Sequence, residues 1–430
     1  MMDSRAGRGP SPLLLLAYLT AATTAFLAAA LGVPWLATEL AGHYYHPHVV
    51  ALTHTVTLGW ITLSIMGTSY QLIPIVLERP IWSERIARWQ LGVLVVGMSG
   101  MIAHFYLGTW PGLALAAGVL AIGVAMHLTN VTLSLRGFTR WTFTSRMVAL
   151  GYAGLALTTT FGMLLGLNHV WSFLPGEFFP TLYAHVQLAL LGWVAPMILG
   201  VGARVYPMFL LAPEPRGRLA TLQFWGLLAG APAIVAGLVS GAPILVKAGA
   251  AAAAMAGAAH VCSVIEMARH RKRPALDWGL RFTMTGAGFV PVVAALGLAL
   301  ALDWLSGPRV AMVYAIVAFG GWISLTVAGM MLKIVPFLVW YRVYGPRAGR
   351  EPVPTLAQLS WPRAEATAYA LLTSGVLLLA ASVAAGHAAW IRLAGIVLLL
   401  GALAFAAALT RVMKRLVGGA DHAAMLAVRV

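Results

Sequence analysis

The sequence predicts an all-α membrane protein of twelve transmembrane helices, built as three four-helix repeats in a pseudo-threefold arrangement, with both termini cytoplasmic. Three observations carry this reading. The 430 residues are 60% hydrophobic and only 9% charged, with a mean hydropathy of +0.86. Apolar runs of about 20 residues or more, the length that crosses a bilayer as a helix, recur along the whole chain. A glycine–tryptophan motif returns at a near-constant interval.

The apolar runs lie at about 11–36, 49–77, 86–109, 111–135, 143–168, 180–211, 219–240, 243–268, 280–303, 310–341, 364–386 and 389–412. The first contains SPLLLLAYLTAATTAFLAAALG, whose small residues near its end give it a signal-peptide flavour. Its apolar run is too long for a signal core, so it counts as segment 1. The connecting loops are short, and no soluble domain is inserted between them.

A formal charge of +16 would suggest nucleic acid as the partner of a soluble protein. Its distribution here indicates a membrane. Loops 78–88, 136–146, 214–218, 269–281 and 342–363 carry most of the Arg and Lys, whereas 37–48 and 169–179 carry none. Such alternation is the positive-inside pattern. It places the termini and basic loops in the cytoplasm of a bacterial-type inner membrane, where anionic lipid suits them. The lone Cys262 excludes an intramolecular disulfide and any multi-cysteine metal site.

The repeats are read from three stretches: GWITLSIMGTSYQLIP (Gly59 to Pro74), GWVAPMILGVGARVYP (Gly192 to Pro207) and GWISLTVAGMMLKIVP (Gly321 to Pro336). In each a second glycine follows eight residues after the first (Gly67, Gly200, Gly329), and a proline follows fifteen after it. The copies are 133 and 129 residues apart (192 − 59 and 321 − 192). A second pair of stretches, HLTNVTLSLR from His127 and HVCSVIEMAR from His260, each begins 68 residues after its Gly-Trp (127 − 59 and 260 − 192). The repeats are therefore set at about 1–140, 141–275 and 276–430. Glycine pairs on one face let neighbouring helices approach closely, and the proline is expected to end or kink each helix. The tryptophans are expected to pack.

The candidate chemistry is carried by histidines. His43, His46, His48 and His54 fall within HYYHPHVVALTHTVTLGW. A histidine inside a bilayer is costly unless paired or coordinated. His54 therefore reads either as a ligand or as a neutral imidazole hydrogen-bonded to a neighbouring helix, with Thr53, Thr55 and Thr57 close by. His185 lies seven residues before Gly192 and reads as a second ligand. His43, His46 and His48 precede a helix started by Pro47; they read as a copper or zinc site or as boundary decoration. His104 and His169 belong to the same layer. His127 and His260 sit in the cytoplasmic half at matched repeat positions and read as packing or capping groups, or as holding a second haem or metal between them. Arg204 and Lys333 share one repeat position and are expected to snorkel. No carboxylate falls mid-segment, which argues against a carboxylate proton relay and against most proton-driven transport.

Twelve helices in three units, with histidines near the outer ends of helices 2 and 6, resemble subunit I of the haem–copper oxidase superfamily. GTSYQLIP, from Gly67 to Pro74, is similar to the helix 2 signature of the nitric oxide reductase and cbb-type branch, and the spacing of histidine, glycines and proline is similar to the NnrS family. The resemblance implies haem, of b type, held by His54 on helix 2. His185 matches the region where the family places a copper ligand. It also implies a cytochrome or quinol electron donor, accessory subunits, and reduction of nitric oxide or oxygen. The chain departs from the family at two points. Helix 10 carries no histidine, Tyr314 and Ile316 standing at the matching positions, and no adjacent His-His pair for copper exists anywhere. The resemblance therefore implies a remote member without the standard copper centre. In it His54 pairs with another histidine or leaves an open iron position, and Tyr314 lines the pocket. The competing reading is a transporter, metal-handling protein or sensor that keeps the fold without haem.

Overall fold

The structure, a computed structural model, describes residues 10–76, 78–215 and 217–427. It is all-helical, with no strand among the described residues. Twelve helices are long and apolar enough to cross a membrane: α1 (Pro12–Trp35), α2 (Pro47–Pro74), α3 (Glu84–Leu107), α4 (Trp110–Ser134), α5 (Phe143–Trp171), α6 (Phe178–Leu210), α7 (Arg218–Ser240), α8 (Pro243–Arg269), α9 (Trp278–Ala301), α10 (Pro308–Val343), α11 (Pro362–Ala385) and α12 (Ala388–Leu416). They coincide with the twelve predicted runs to within a few residues. In hydrocarbon every backbone polar group must be paired within its own segment, which leaves the helix as the form such runs take.

Local sequence sets the helix ends. Pro12, Pro47 and Pro243 sit in the first turn of α1, α2 and α8, where a missing N–H is harmless. The hairpins α3–α4, α7–α8 and α11–α12 all turn on a glycine in the left-handed region: Gly108 (φ 66°), Gly241 (φ 68°) and Gly386 (φ 72°).

Helices α2, α6 and α10, the three with the Gly-Trp motif, form the inner part of the bundle. In their most apolar stretch 61, 72 and 61% of residues are buried, against 28–50% in the other nine. Each lays its glycine pair on the helix that precedes it in the chain. A Cβ on Gly59 would meet Ala25 at 2.6 Å, and one on Gly67 would meet Tyr18 at 2.5 Å, both on α1. Gly192 and Gly200 face Gly154 and Met147 of α5, and Gly321 and Gly329 face Phe289 and Gly279 of α9. At Gly154 a Cβ would fall inside contact distance of the Gly192 carbonyl, so there one backbone lies directly on another.

The Gly-Trp dipeptides also mark a change of helix type. A π-helical stretch, Thr55–Thr62 in α2, Leu188–Val194 in α6 and Ile316–Ser324 in α10, surrounds each of them. Such widened turns are rare and gather at functional sites. Trp60, Trp193 and Trp322 are all buried in the main core, as expected of packing residues. Trp193 Nε1 donates to Thr62 Oγ1 at 3.4 Å, tying α6 to α2, and Tyr314 donates from its hydroxyl to Gln187 Oε1, tying α10 to α6. The π stretches of α2 and α10 touch as well.

The prolines do not end their helices. Pro74, Pro207 and Pro336 lie inside helix that continues to Val76, Leu210 and Val343. Burial beyond the proline explains the longest case: Leu338 and Val339 are fully packed, and that apolar burial offsets the lost backbone hydrogen bond.

The glycine contacts set an expected outcome. Gly154→Ala places a methyl against unyielding backbone and should cost about 1–3 kcal/mol of stability. Gly288→Ala, where a Cβ meets nothing within 4 Å, should be neutral or slightly stabilising. Thermal unfolding of the two variants in the same detergent compares them; equal midpoints would contradict the packing described.

Candidate functional site: two histidines on one cavity

The last α-helical turns before two of the π stretches each carry a histidine. His54 ends the segment Pro47–His54 and His185 falls in the segment Phe178–Gln187. The Nδ1 of His54 is 2.8 Å from the carbonyl of Val50, one turn back in its own helix. The Nδ1 of His185 is 3.1 Å from the carbonyl of Thr158 on α5. A carbonyl only accepts, so both rings carry their proton on Nδ1 and keep the Nε2 lone pair. Phe105 stacks on His54 at 5.0 Å between centroids. Gly162 makes room for His185, since a Cβ there would lie 2.9 Å from its Cε1. The alternative reading of His54, a hydrogen bond to a neighbouring helix, finds no partner among the described residues, since its Nδ1 stays on Val50 of its own helix. Thr53, Thr55 and Thr57 instead return their hydroxyls to the carbonyls of Val49, Ala51 and Thr53 in their own helix. A threonine in a helix satisfies its hydroxyl most cheaply on the preceding turn.

Both imidazoles line one cavity of about 870 Å³ that reaches both sides of α6. The walls are mostly apolar, among them Met98, Met101, Leu113, Ala117, Leu155 and Met163. Among the described residues no lysine or arginine lines the cavity, and the carboxylate that does, Asp303, is 3.4 Å from Lys247. Tyr314 lines the cavity from α10. Its volume falls in the range of cofactor and small-molecule sites, which are likewise apolar with few polar groups.

The other candidate residues are dispersed. His43 and His169 line the cavity near its mouth, whereas His46, His48 and His104 do not. The Nδ1 atoms of His43 and His46 accept from the backbone N–H of Tyr45 and His48, so they act as turn and helix caps. The ring of His48 stacks on Tyr106, and its Nδ1 is 3.3 Å from Glu39. Burial pulls the Glu39 carboxyl upward, but backbone hydrogen bonding and His48 outweigh it and hold the group below its ordinary value. The Nδ1 of His104 is 2.6 Å from the Thr109 hydroxyl at the end of α3. Among the described residues no group of three or more His, Cys, Asp or Glu side chains gathers as a metal site would require.

An aromatic strap ties the loop before α2 to α5 and α6. Tyr44 and Tyr183 share a short hydroxyl–hydroxyl hydrogen bond, and Tyr45 Oη is 2.9 Å from His169 Nε2. His169 stacks on Trp110 at 4.5 Å. Burial raises both loop phenols, Tyr45 to about 12, so they stay neutral at physiological pH.

At the opposite end the basic side chains pair with acids. Arg204 binds Glu214, and Lys333 Nζ is 2.5 Å from Asp277. His127 is fully buried with Nδ1 3.1 Å from the Tyr70 hydroxyl, His260 is buried in α8, and neither lines the cavity. Sequence reading had not singled out Gln187, Gly162, Thr158 or Phe105. Only Gln187 carried any signal, as an amide two residues beyond His185 in an apolar run.

No family model and no curated protein matches this chain. The class the fold defines is an integral, multi-pass membrane protein of twelve helices with a histidine-bearing interior cavity.

Tyr45→Phe and His169→Gln, measured singly and together by thermal unfolding, should show a coupling of about 0.5–1.5 kcal/mol. Strict additivity would mean that the strap contributes nothing.

Proposed function

We propose that this chain is a haem-binding membrane protein that passes electrons or binds and reduces a small gas, nitric oxide or oxygen. His54 on α2 and His185 on α6 would hold the haem iron. One observation carries the reading: two imidazoles on different helices, each fixed through Nδ1 to a backbone carbonyl, line one apolar cavity. Metal-bound histidines are commonly anchored in this way, because the second hydrogen bond sets the tautomer and aims the ring. The residues present fit the group. Gly162 leaves the space that His185 occupies, Phe105 holds the plane of His54, and the cavity volume admits a macrocycle.

Bound haem would supply reversible iron redox chemistry and, where one axial position opens, a site for a diatomic gas. The protein supports that by excluding water with apolar walls and by keeping fixed cations away from the iron. Pairing α2 with α6 accounts for a helix 10 in which Tyr314 replaces histidine. Electrons would come from a cytochrome or quinol. The protein is assigned to a bacterial-type cytoplasmic membrane, with its basic loops inside. The three-repeat division belongs to this proposal. It is supported by the recurrence of glycine pair, π stretch and buried tryptophan in α2, α6 and α10.

The deciding experiment is a reduced-minus-oxidised absorption spectrum with a pyridine haemochrome assay, on wild type beside His54→Ala and His185→Ala. Haem is expected in the wild type, with loss or a change of spin state in both variants. Protein made under haem-replete conditions that carries none would overturn the proposal in favour of a transport or sensing role for the cavity. Gly162→Ala, which crowds the His185 ring, should weaken haem retention without removing a ligand.

A further inference from the structure

One side of the cavity is walled by α2–α5 and the other by α7–α10, with α6 between them. The repeat intervals relate the two sides residue by residue. A shift of 133 carries lining residues of α3 and α4 onto lining residues of α7 and α8: Leu94 onto Leu227, Met101 onto Ile234 and Ala117 onto Ala250. A shift of 129 carries Ala189 and Trp193 of α6 onto Ala318 and Trp322 of α10, again all on the cavity. These intervals are set by the Gly-Trp dipeptides, without reference to any cavity, so the match of the walls is an independent observation.

The same shifts carry the histidines onto the polar pair of the second side. His54 corresponds to Gln187 (187 − 54) and His185 to Tyr314 (314 − 185). The seating is matched too. Gly162 of α5 makes room for the His185 ring, and Gly297 of α9 makes room for Tyr314, where a Cβ would lie 3.3 Å from Cε2. The chemistry is what differs. Instead of two imidazoles the second side has a hydrogen bond, the Tyr314 hydroxyl donating to Gln187 Oε1 at 3.4 Å. Imidazole suits iron, whereas an amide and a phenol bonded to each other form a poor donor set for it.

The α8 wall does not account for the difference. At matched positions it carries the smaller side chain, Ala253 for Leu120 and Gly257 for Val124, so it is no tighter than the α4 wall. The third space, between α10 and α2, shows what closure by shape looks like. Its matched pair is Ile316 and Leu52 (316 − 187 and 185 − 52), both packed against the core. There Phe26 stacks on Trp60 at 4.5 Å with Phe405 edge-on to both, and among the described residues no side chain of α1, α11 or α12 lines the cavity.

We propose that the space between α6 and α10 is a second copy of the haem site between α2 and α6, closed to iron by the side chains at 187 and 314 and not by its shape. This rests on the haem reading of the first copy. Imidazoles at both positions would open it to a second iron porphyrin. In the native chain the Gln187–Tyr314 bond ties α6 to α10 in the place where iron would tie α2 to α6.

The test is haem content per chain, by pyridine haemochrome against quantitative amino-acid analysis, in full-length protein made under haem-replete conditions. Gln187→His with Tyr314→His should hold about twice the wild-type haem, the addition being low-spin. His54→Gln with His185→Tyr should lose haem, and all four substitutions together should restore the wild-type content. Haem in the chain with all four also reports a folded bundle. Wild-type haem content in a monodisperse Gln187→His, Tyr314→His protein would overturn the proposal, as would a monodisperse chain with all four substitutions and no haem. Haem gained in the Gln187→His, Tyr314→His protein over a haem-free wild type would support the assignment of this side and overturn the haem reading of the other. Haem absent from both would overturn the two together.

Discussion

The bundle depends on backbone meeting backbone. Lipid tails are as apolar as leucine, so burying leucine does not by itself hold membrane helices together, and close packing has to do it. Gly154 against Gly192 is the extreme case, with no side chain between two helices. In α10 Gly329 likewise lies on the Gly279 backbone of α9, whereas Gly59 and Gly67 of α2 let the Ala25 and Tyr18 side chains of α1 come close. Because the inner helices are held from outside in this way, they need not fill the centre between them with bulky side chains. The cavity is what remains.

The π stretches add a second consequence. A wider turn rotates the residues that follow it relative to those before it, so the face presented above the stretch is not the face presented below. In α2 the cavity-lining residues run from Val50 and His54 through the stretch to Leu63, while Gly59 and Gly67 look at α1. In α6 the stretch follows directly on His185 and Gln187. Ligand-bearing and packing surfaces can thus occupy one helix without competing for one stripe.

The spans and the three Gly-Trp helices were legible because apolar length and glycine spacing are one-dimensional signals. The π stretches were not, since an extra residue per turn leaves no mark in hydropathy. Of the two outcomes expected at the prolines, an end or a kink, the end does not occur at Pro336, because the burial of Leu338 and Val339 carries α10 past it. His54 and His185 stood out as ionisable groups in apolar runs, but their hydrogen-bond partners did not. Val50 and Thr158 contribute carbonyls, which every residue has. Gly162 was hidden among 45 glycines, and only the approach of His185 distinguishes it. Arg204 and Lys333 read as snorkelling cations; their partners Glu214 and Asp277 became evident only from the fold.

The two anchoring hydrogen bonds are not equivalent. His54 takes its bearing from Val50, a fixed point on its own helix, so it travels with α2 as a rigid attachment. His185 takes its bearing from Thr158, a point on α5. A slide or tilt between α5 and α6 would therefore re-aim one imidazole and leave the other unmoved. That makes the α5–α6 contact a mechanical lever with a single output, and the Tyr44–Tyr183 and Tyr45–His169 bonds of the strap bear on its two arms at the far end.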